Sequence, residues 1–371
     1  MKVPFYDSTR EYSNHKEEFD KAISDVIKSG AFILGKPVAD FEEQVKKYTN
    51  AKYAIGVANG SDALLIASDI LKFKNAEILT PVFTFFASAS CIARIDGTPV
   101  FIDVDEDTFC MDMKDAENRM SKKTKGIIPV HLFLQPADMN ACMNLAKKNN
   151  LSVIEDAAEA FGMKLNHNGK SLHAGCVGDF GVFSFFPTKT LGAYGDAGMI
   201  ITNDEEFYKK AKNYRTHGAT KKYHHDYIGY NSRLDTLQAA IMNVKLSHIN
   251  NSIQNRAIHA SHYREMLKDI SEVKLPVIKT GNKEINYAFC MQAVNRDKLE
   301  KFLNEKGIGT SVYYPLPLHL QKCFDYLGYK KGDFPAAEKL CETSIALPMF
   351  PELTEDEVTY ICESVKEFYK K

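Results

Sequence analysis

Short apolar runs and amphipathic stretches take turns along the first two-thirds of the chain. EFDKAISDVIKSG (18–30) puts Phe19, Ile23, Val26 and Ile27 at helical spacing, and Gly30 supplies a stop. PVADFEEQVKKYTN (37–50) opens on a proline suited to a first helical turn and carries Val38, Phe41, Val45 and Tyr48 on one face. KYAIGVANGSDALLIASDIL reads as a strand at 53–58, a polar turn and a helix. Six more strand-like runs follow, at 77–82, 98–104, 126–133, 152–156, 181–186 and 198–202. This alternation predicts an α/β fold whose mostly parallel, seven-stranded sheet is covered by helices on both faces.

The period then changes. Residues 231–267 read as a long helix or helix pair. Beyond it come an apolar run at 289–294, an amphipathic stretch around 297–306, a strand in GIGTSVYYP (307–315) and a last helix at 354–369. We expect a large domain over 1–245 and a smaller C-terminal α+β domain over 246–371.

Composition narrows the partners. Across 371 residues the formal net charge is −1, with acids and bases interspersed. Neither a nucleic-acid groove nor an anionic membrane surface is expected. No apolar run approaches the roughly 20 residues that span a bilayer. MKVPFYDSTREYSNH has no apolar core of a secretory signal, so a cytoplasmic protein is expected. The eight cysteines include no CxxC pair and the eleven histidines no HExxH motif, so no metal is expected.

In open parallel sheets, ligands sit beyond the carboxyl ends of the strands. Polar residues interrupt the pattern at those places: Asn59-Gly60-Ser61, Phe83 to Phe86, Asp156 to Glu159, and Thr188-Lys189. Each has an ordinary explanation. A lysine is usually solvated, and a serine or asparagine before a helix usually caps it. An aspartate at a strand end does the same, and a phenylalanine pair usually packs. Pyridoxal 5′-phosphate uses all of them together. Its aldehyde takes a lysine, its pyridine nitrogen a carboxylate, its phosphate a helix N-terminus with hydroxyl donors, and its ring an aromatic cover.

The chain resembles the DegT/DnrJ/StrS family of sugar aminotransferases, within aspartate-aminotransferase fold type I. The resemblance rests on GAFILGKPVADFEE (30–43), VANGSDALLIA (57–67), TPVFTFFASA (80–89), VFIDVDEDTFCMD (100–112), VIEDAAEAFG (153–162), SFFPTKTLGAYGDAG (184–198), YNSRLDTLQAAI (230–241) and YYPLPLHLQ (313–321). It implies that Lys189 is the Schiff-base lysine and Asp156 the partner of the pyridine nitrogen. It further implies that Gly60, Ser61 and Ser184 bind phosphate and that Phe85 covers the ring. Asn231 matches a residue sent into the neighbouring subunit's site, which implies a homodimer with shared active sites. Arg233, His225, Tyr314 and His319 are expected to meet the substrate.

One position departs from the family. Its common EDAAQ reads EDAAE here, placing Glu159 near the cofactor's phenolic oxygen. Glu159 is expected either to carry a proton there or to turn toward a cation. The implied reaction moves an amino group from L-glutamate to a nucleotide-linked keto sugar, with Lys189 as base and then acid. The stretches KYHHDYIGYNSRLDTLQAAI and YYPLPLHLQ are more similar to C3-aminating members, which act on UDP-2-acetamido-3-keto-glucuronate or dTDP-3-keto-6-deoxyhexoses. C4 amination is the alternative. A sugar dehydrase would carry histidine at 189. An amino-acid aminotransferase would want an arginine in the small domain, where Arg296 is the only one past residue 264.

Overall fold

The computed structural model describes residues 1–279 and 281–370. Seven strands form the main sheet: β1 (Tyr53–Val57), β2 (Glu77–Pro81), β3 (Thr98–Ile102), β4 (Thr124–Ile127), β5 (Ser152–Asp156), β6 (Phe180–Ser184) and β7 (Gly198–Thr202). Their order is β1-β7-β6-β5-β4-β2-β3. All neighbours pair parallel except β7, which runs antiparallel to both β1 and β6. Because β7 is reversed, β1 still points the same way as β6. The residues just past β1, β5 and β6 therefore emerge on one edge of the sheet.

Burial explains the apolar runs. Strands β5, β6 and β7 are almost wholly buried, as expected when helices cover both faces. Helix Lys36–Thr49 buries Val38, Phe41 and Val45, and helix Lys16–Ser29 ends on Gly30 in the left-handed region.

Two expected strands are corrected. The run 126–133 pairs only as far as Ile127, because Pro129 has no N–H to give the ladder. The chain continues alongside β5 through a bridge from Val130 to Asp156. The stretch 307–315 forms no strand: it makes single bridges, Ile308 to Val3 and Ser311 to Ala346, and changes partner between them. No one neighbour runs along it.

The C-terminal part holds a three-stranded antiparallel sheet of Val273–Lys274, Phe289–Ala293 and Ser344–Leu347, with helices Arg296–Glu305, Pro335–Thr343 and Glu355–Lys370. One continuous helix, Thr236–Leu267, joins it to the large sheet. The expected division between 245 and 246 falls inside this helix. Leu246, Ile249 and Ile253 pack in the first core, while Ala260, Tyr263 and Leu267 pack in the second, beside Phe289 and Val358. Val3, at the other end of the chain, also joins the second core. Among the described residues no helix is long and apolar enough to cross a membrane.

Candidate active site

Strand direction and register bring the site together. Val57, Gly198 and Ser184 lie side by side across β1, β7 and β6. Two residues past Val57, Asn59 caps helix Gly60–Ile70 by accepting from the Asp62 N–H at 2.8 Å. The N–H groups of Gly60 and Ser61 precede that cap and have no carbonyl of their own helix to meet. A Cβ on Gly60 would stand 2.8 Å from Ser184 Cβ, so only glycine lets this helix start against the end of β6. Beyond Ser184 the chain turns, with Lys189 N–H donating to the Phe186 carbonyl at 2.8 Å. Gly192 sits where a Cβ would press 2.3 Å from the Pro187 carbonyl oxygen. That turn holds Lys189 over the sheet edge.

A cavity of about 380 Å³ opens there. Gly60, Ser61, Phe85, Asp156, Glu159, Ser184, Lys189 and Tyr314 all line it, with Thr84, Thr188, Asp196, Tyr287 and Tyr313. Asp156 ends β5 and is buried. Its Oδ2 accepts from Ser88 Oγ at 2.7 Å, and its Oδ1 from the Ala158 N–H at 3.2 Å. Burial pushes the Asp156 carboxyl above its ordinary value; the Ser88 and Ala158 hydrogen bonds and the Lys189 charge oppose this without cancelling it. A positive charge placed against Asp156 would relieve that burial.

Lys189 Nζ lies 3.0 Å from Glu159 Oε1 and 4.4 Å from the centre of the Tyr287 ring. Burial alone would push the amine down, but the Glu159 carboxylate, with Tyr287, outweighs it and the net direction is up. Glu159 Oε2 accepts from the Phe133 N–H at 3.0 Å. Of the two expectations for Glu159, contact with a cation is the one present. The site thus holds an amine, a buried carboxylate in need of a cation, and free helix N–H groups on one cavity. This donor set fits pyridoxal phosphate.

The remaining expected residues are placed differently. Phe85 is 60% exposed on the cavity wall, and Phe86 leans on Phe324 with ring centres 5.6 Å apart. Asn231 and Arg233 line a separate concavity of about 490 Å³, which shares Asp196 with the first. His225 is exposed on the hairpin Ala219–Lys221/His224–His225 and does not line the cavity; its Nδ1 donates to the His217 carbonyl at 2.9 Å. His319 also lies outside the cavity. It is buried, its ring 4.7 Å from that of Phe334 and its Nε2 3.1 Å from Glu338. Arg296 is spent on the carbonyls of Ser344 and Cys341 and on Asp297.

Two residues of the site escape sequence reasoning. Ser88 sits in helix Ala87–Arg94, and its only signal is a serine on an apolar helix face. Tyr287 arrives from beyond the long helix, and no spacing ties it to Lys189.

Comparison with known proteins bears on this geometry. The model of the DegT/DnrJ/EryC1/StrS aminotransferase family matches residues 13–366. A pleiotropic regulatory protein of Geobacillus stearothermophilus is 46% identical over 376 aligned positions, covering 100% of this chain and 99% of that one. The UDP-N-acetyl-3-dehydro-alpha-D-glucosamine 3-aminotransferase of Acidithiobacillus ferrooxidans is 37% identical, covering 98% and 97%. Streptomyces venezuelae DesV, solved in complex with a ketimine intermediate, superposes with a TM-score of 0.96 at 32% identity, covering 100% of this chain and 99% of the other.

Proposed function

The chain belongs to the DegT/DnrJ/EryC1/StrS aminotransferase family, and from that premise we propose that it is a pyridoxal-phosphate enzyme that aminates C3 of a nucleotide-linked 3-keto sugar, with L-glutamate as donor. The observation that carries the reading is that Lys189, Asp156 and the N-terminus of helix Gly60–Ile70 share one cavity.

When bound, the cofactor supplies an electron sink for the carbon that gives up or receives the amine. This chain's residues do the rest. Gly60 and Ser61 N–H groups and the Ser184 hydroxyl hold the phosphate, aided by the helix dipole. Asp156 holds a proton at the ring nitrogen, and Ser88 keeps that carboxylate oriented. Phe85 covers one ring face. Lys189, once free, takes a proton from the donor carbon and later returns one to the sugar carbon. Glu159 keeps the amine directed into the cavity. Tyr313, Tyr314 and Tyr287 form a wall that restricts water there.

Asn231 and Arg233 open onto a neighbouring concavity, which fits a homodimer in which each subunit completes the other's site. Arg233, His225 and Tyr314 are assigned to the sugar nucleotide, with Arg233 suited to an anionic diphosphate. His319 is left out of this reading because Phe334 and Glu338 enclose it. The substrate is of the UDP-2-acetamido-3-keto-glucuronate or dTDP-3-keto-6-deoxyhexose type, in line with the name of the Acidithiobacillus relative. The eight cysteines, all free, fit a cytoplasmic location. The Geobacillus relative's name speaks of regulation, yet this chain keeps both Lys189 and Asp156. Arg296 is bound up in the small domain, which counts against an amino-acid aminotransferase.

An amino-transfer assay over a panel of UDP- and dTDP-linked 3-keto and 4-keto sugars, with the product read by NMR, tests the proposal. A 3-amino product supports it. A 4-amino product moves the assignment to C4, and transfer to no nucleotide sugar rejects it.

A further inference from the structure

Away from the cavity, three metal-ligating side chains meet where two helices cross. His15 directly precedes helix Lys16–Ser29, Glu18 lies in its first turn, and His248 projects from helix Thr236–Leu267. The imidazole rings of His15 and His248 stack with centres 3.9 Å apart and planes inclined by 23°. Glu18 Oε1 stands 3.4 Å from His15 Nδ1 and 3.1 Å from His248 Nε2, and Oε2 is also 3.1 Å from His248 Nε2. One ligand atom from each residue lies within 4.8 Å of the other two.

The spacing suits a small ion. Metal–nitrogen bonds of about 2.1 Å in a tetrahedron place neighbouring ligand atoms roughly 3.4 Å apart. The two carboxylate–imidazole separations already lie near that value. The His15 side chain makes no capping hydrogen bond, so its ring is not committed to the helix end. Glu17 and Glu18 in the first turn offset the partial positive charge of that helix terminus. The side chains are half-buried or exposed, so water can reach a fourth position.

We infer that His15, Glu18 and His248 bind a divalent transition-metal ion of the zinc type, clamping helix Lys16–Ser29 to the long helix. Two nitrogens and one carboxylate favour zinc, cobalt or nickel over calcium or magnesium. The clamp bears on the lysine loop from outside. Phe19, one residue beyond Glu18, packs against Tyr194 with ring centres 5.3 Å apart, and the Tyr194 N–H is held by Gln238 at 2.9 Å. The inference stands independently of the sugar assigned above.

The test uses untagged holoprotein freed of metal by chelation and dialysis. Zinc binding is followed by calorimetry, cobalt by its visible absorption, and stability by thermal melting. One zinc per chain, a cobalt spectrum of tetrahedral type and a raised melting temperature are expected. His248→Gln and His15→Ala should each weaken binding by at least about tenfold, as expected when a ligand is lost. His224→Ala, on the exposed hairpin, should leave it unchanged. Circular dichroism on each variant confirms that the fold survives. Absence of zinc binding in the millimolar range, full affinity in His248→Gln, or an equal loss in His224→Ala would overturn the assignment.

Discussion

In the role proposed for it, Asp156 must be charged to hold a proton on the ring nitrogen, yet burial opposes that charge. Ser88 is the side chain that opposes burial most strongly. Its hydroxyl donates to Asp156 Oδ2 at 2.7 Å, and among the described residues the only other donor to that carboxylate is the Ala158 N–H at 3.2 Å. A hydrogen bond to a charged acceptor contributes about 1.5–3 kcal/mol. Since one pKa unit is about 1.4 kcal/mol, Ser88→Ala should move the Asp156 carboxyl up by roughly 1–2 units. The readout is kcat/KM for amino transfer across pH. The acid limb of the variant should shift upward by about that amount, with little loss on the alkaline side. Thr84→Val should shift it less, because the Thr84 hydroxyl touches Ser88 Oγ at 3.1 Å and not Asp156. Cofactor-free protein gives a second readout. A carboxyl raised above its ordinary value of 3.8 contributes stability below that value and loses it as pH rises through the folded value. Urea melts should therefore show Ser88→Ala costing more near pH 7 than near pH 4. Superimposable acid limbs, or an equal cost at both pH values, would refute the reasoning.

Other outcomes follow from the same contacts. Lys189→Ala should abolish the absorption band of the lysine-linked cofactor, and a band that persists would remove Lys189 from its role. Glu159→Gln should leave transfer largely intact, because a glutamine oxygen can still accept from Lys189 or from the Phe133 N–H. It should also lower the pKa of the free amine, read on the alkaline limb, since the Glu159 charge is what raises it. Gly60→Ala should weaken cofactor binding in equilibrium dialysis. The added methyl meets Ser184 Cβ at 2.8 Å, and overpacking of this kind costs about 1–3 kcal/mol. His173 is held neutral by burial, with Nε2 accepting from the Gly162 N–H and a pKa pushed from 6.5 to about 4. Its stability contribution is intact above pH 6.5 and declines as pH falls toward 4, by about 3 kcal/mol in all. His173→Gln should flatten that part of the urea-melt profile.

How far the site was legible depends on what each residue had to do locally. Asp156 and Lys189 stood out because parallel strands buried on both faces leave little room for charge, so a charge at a strand's carboxyl end calls for a partner. Gly60 and Ser61 stood out for a related reason: a helix must start somewhere, and the cap residue marks the place. Ser88 did neither. A serine in a short apolar helix looks the same whether it faces Asp156 or a neighbouring backbone carbonyl, and only the packing of helix Ala87–Arg94 on the sheet decides. His319 shows the converse. It lies within a stretch that resembles the family, yet Phe334 and Glu338, which enclose it, follow it by more than a dozen residues with no periodic signal.

The same distinction explains Glu159. Sequence placed a carboxylate where the family commonly has an amide and left two outcomes open, because both depend on what stands across the cavity. Lys189 stands there, 3.0 Å away, while the Phe133 N–H holds the second oxygen. The carboxylate is therefore balanced by the amine as long as that amine is free and charged. With the cofactor bound to the amine, Glu159 would lose that partner and keep the Phe133 N–H. The Glu159 charge that raises the Lys189 amine also helps to raise the Asp156 carboxyl, so Glu159→Gln should bring down both the alkaline limb and, more weakly, the acid limb of the profile.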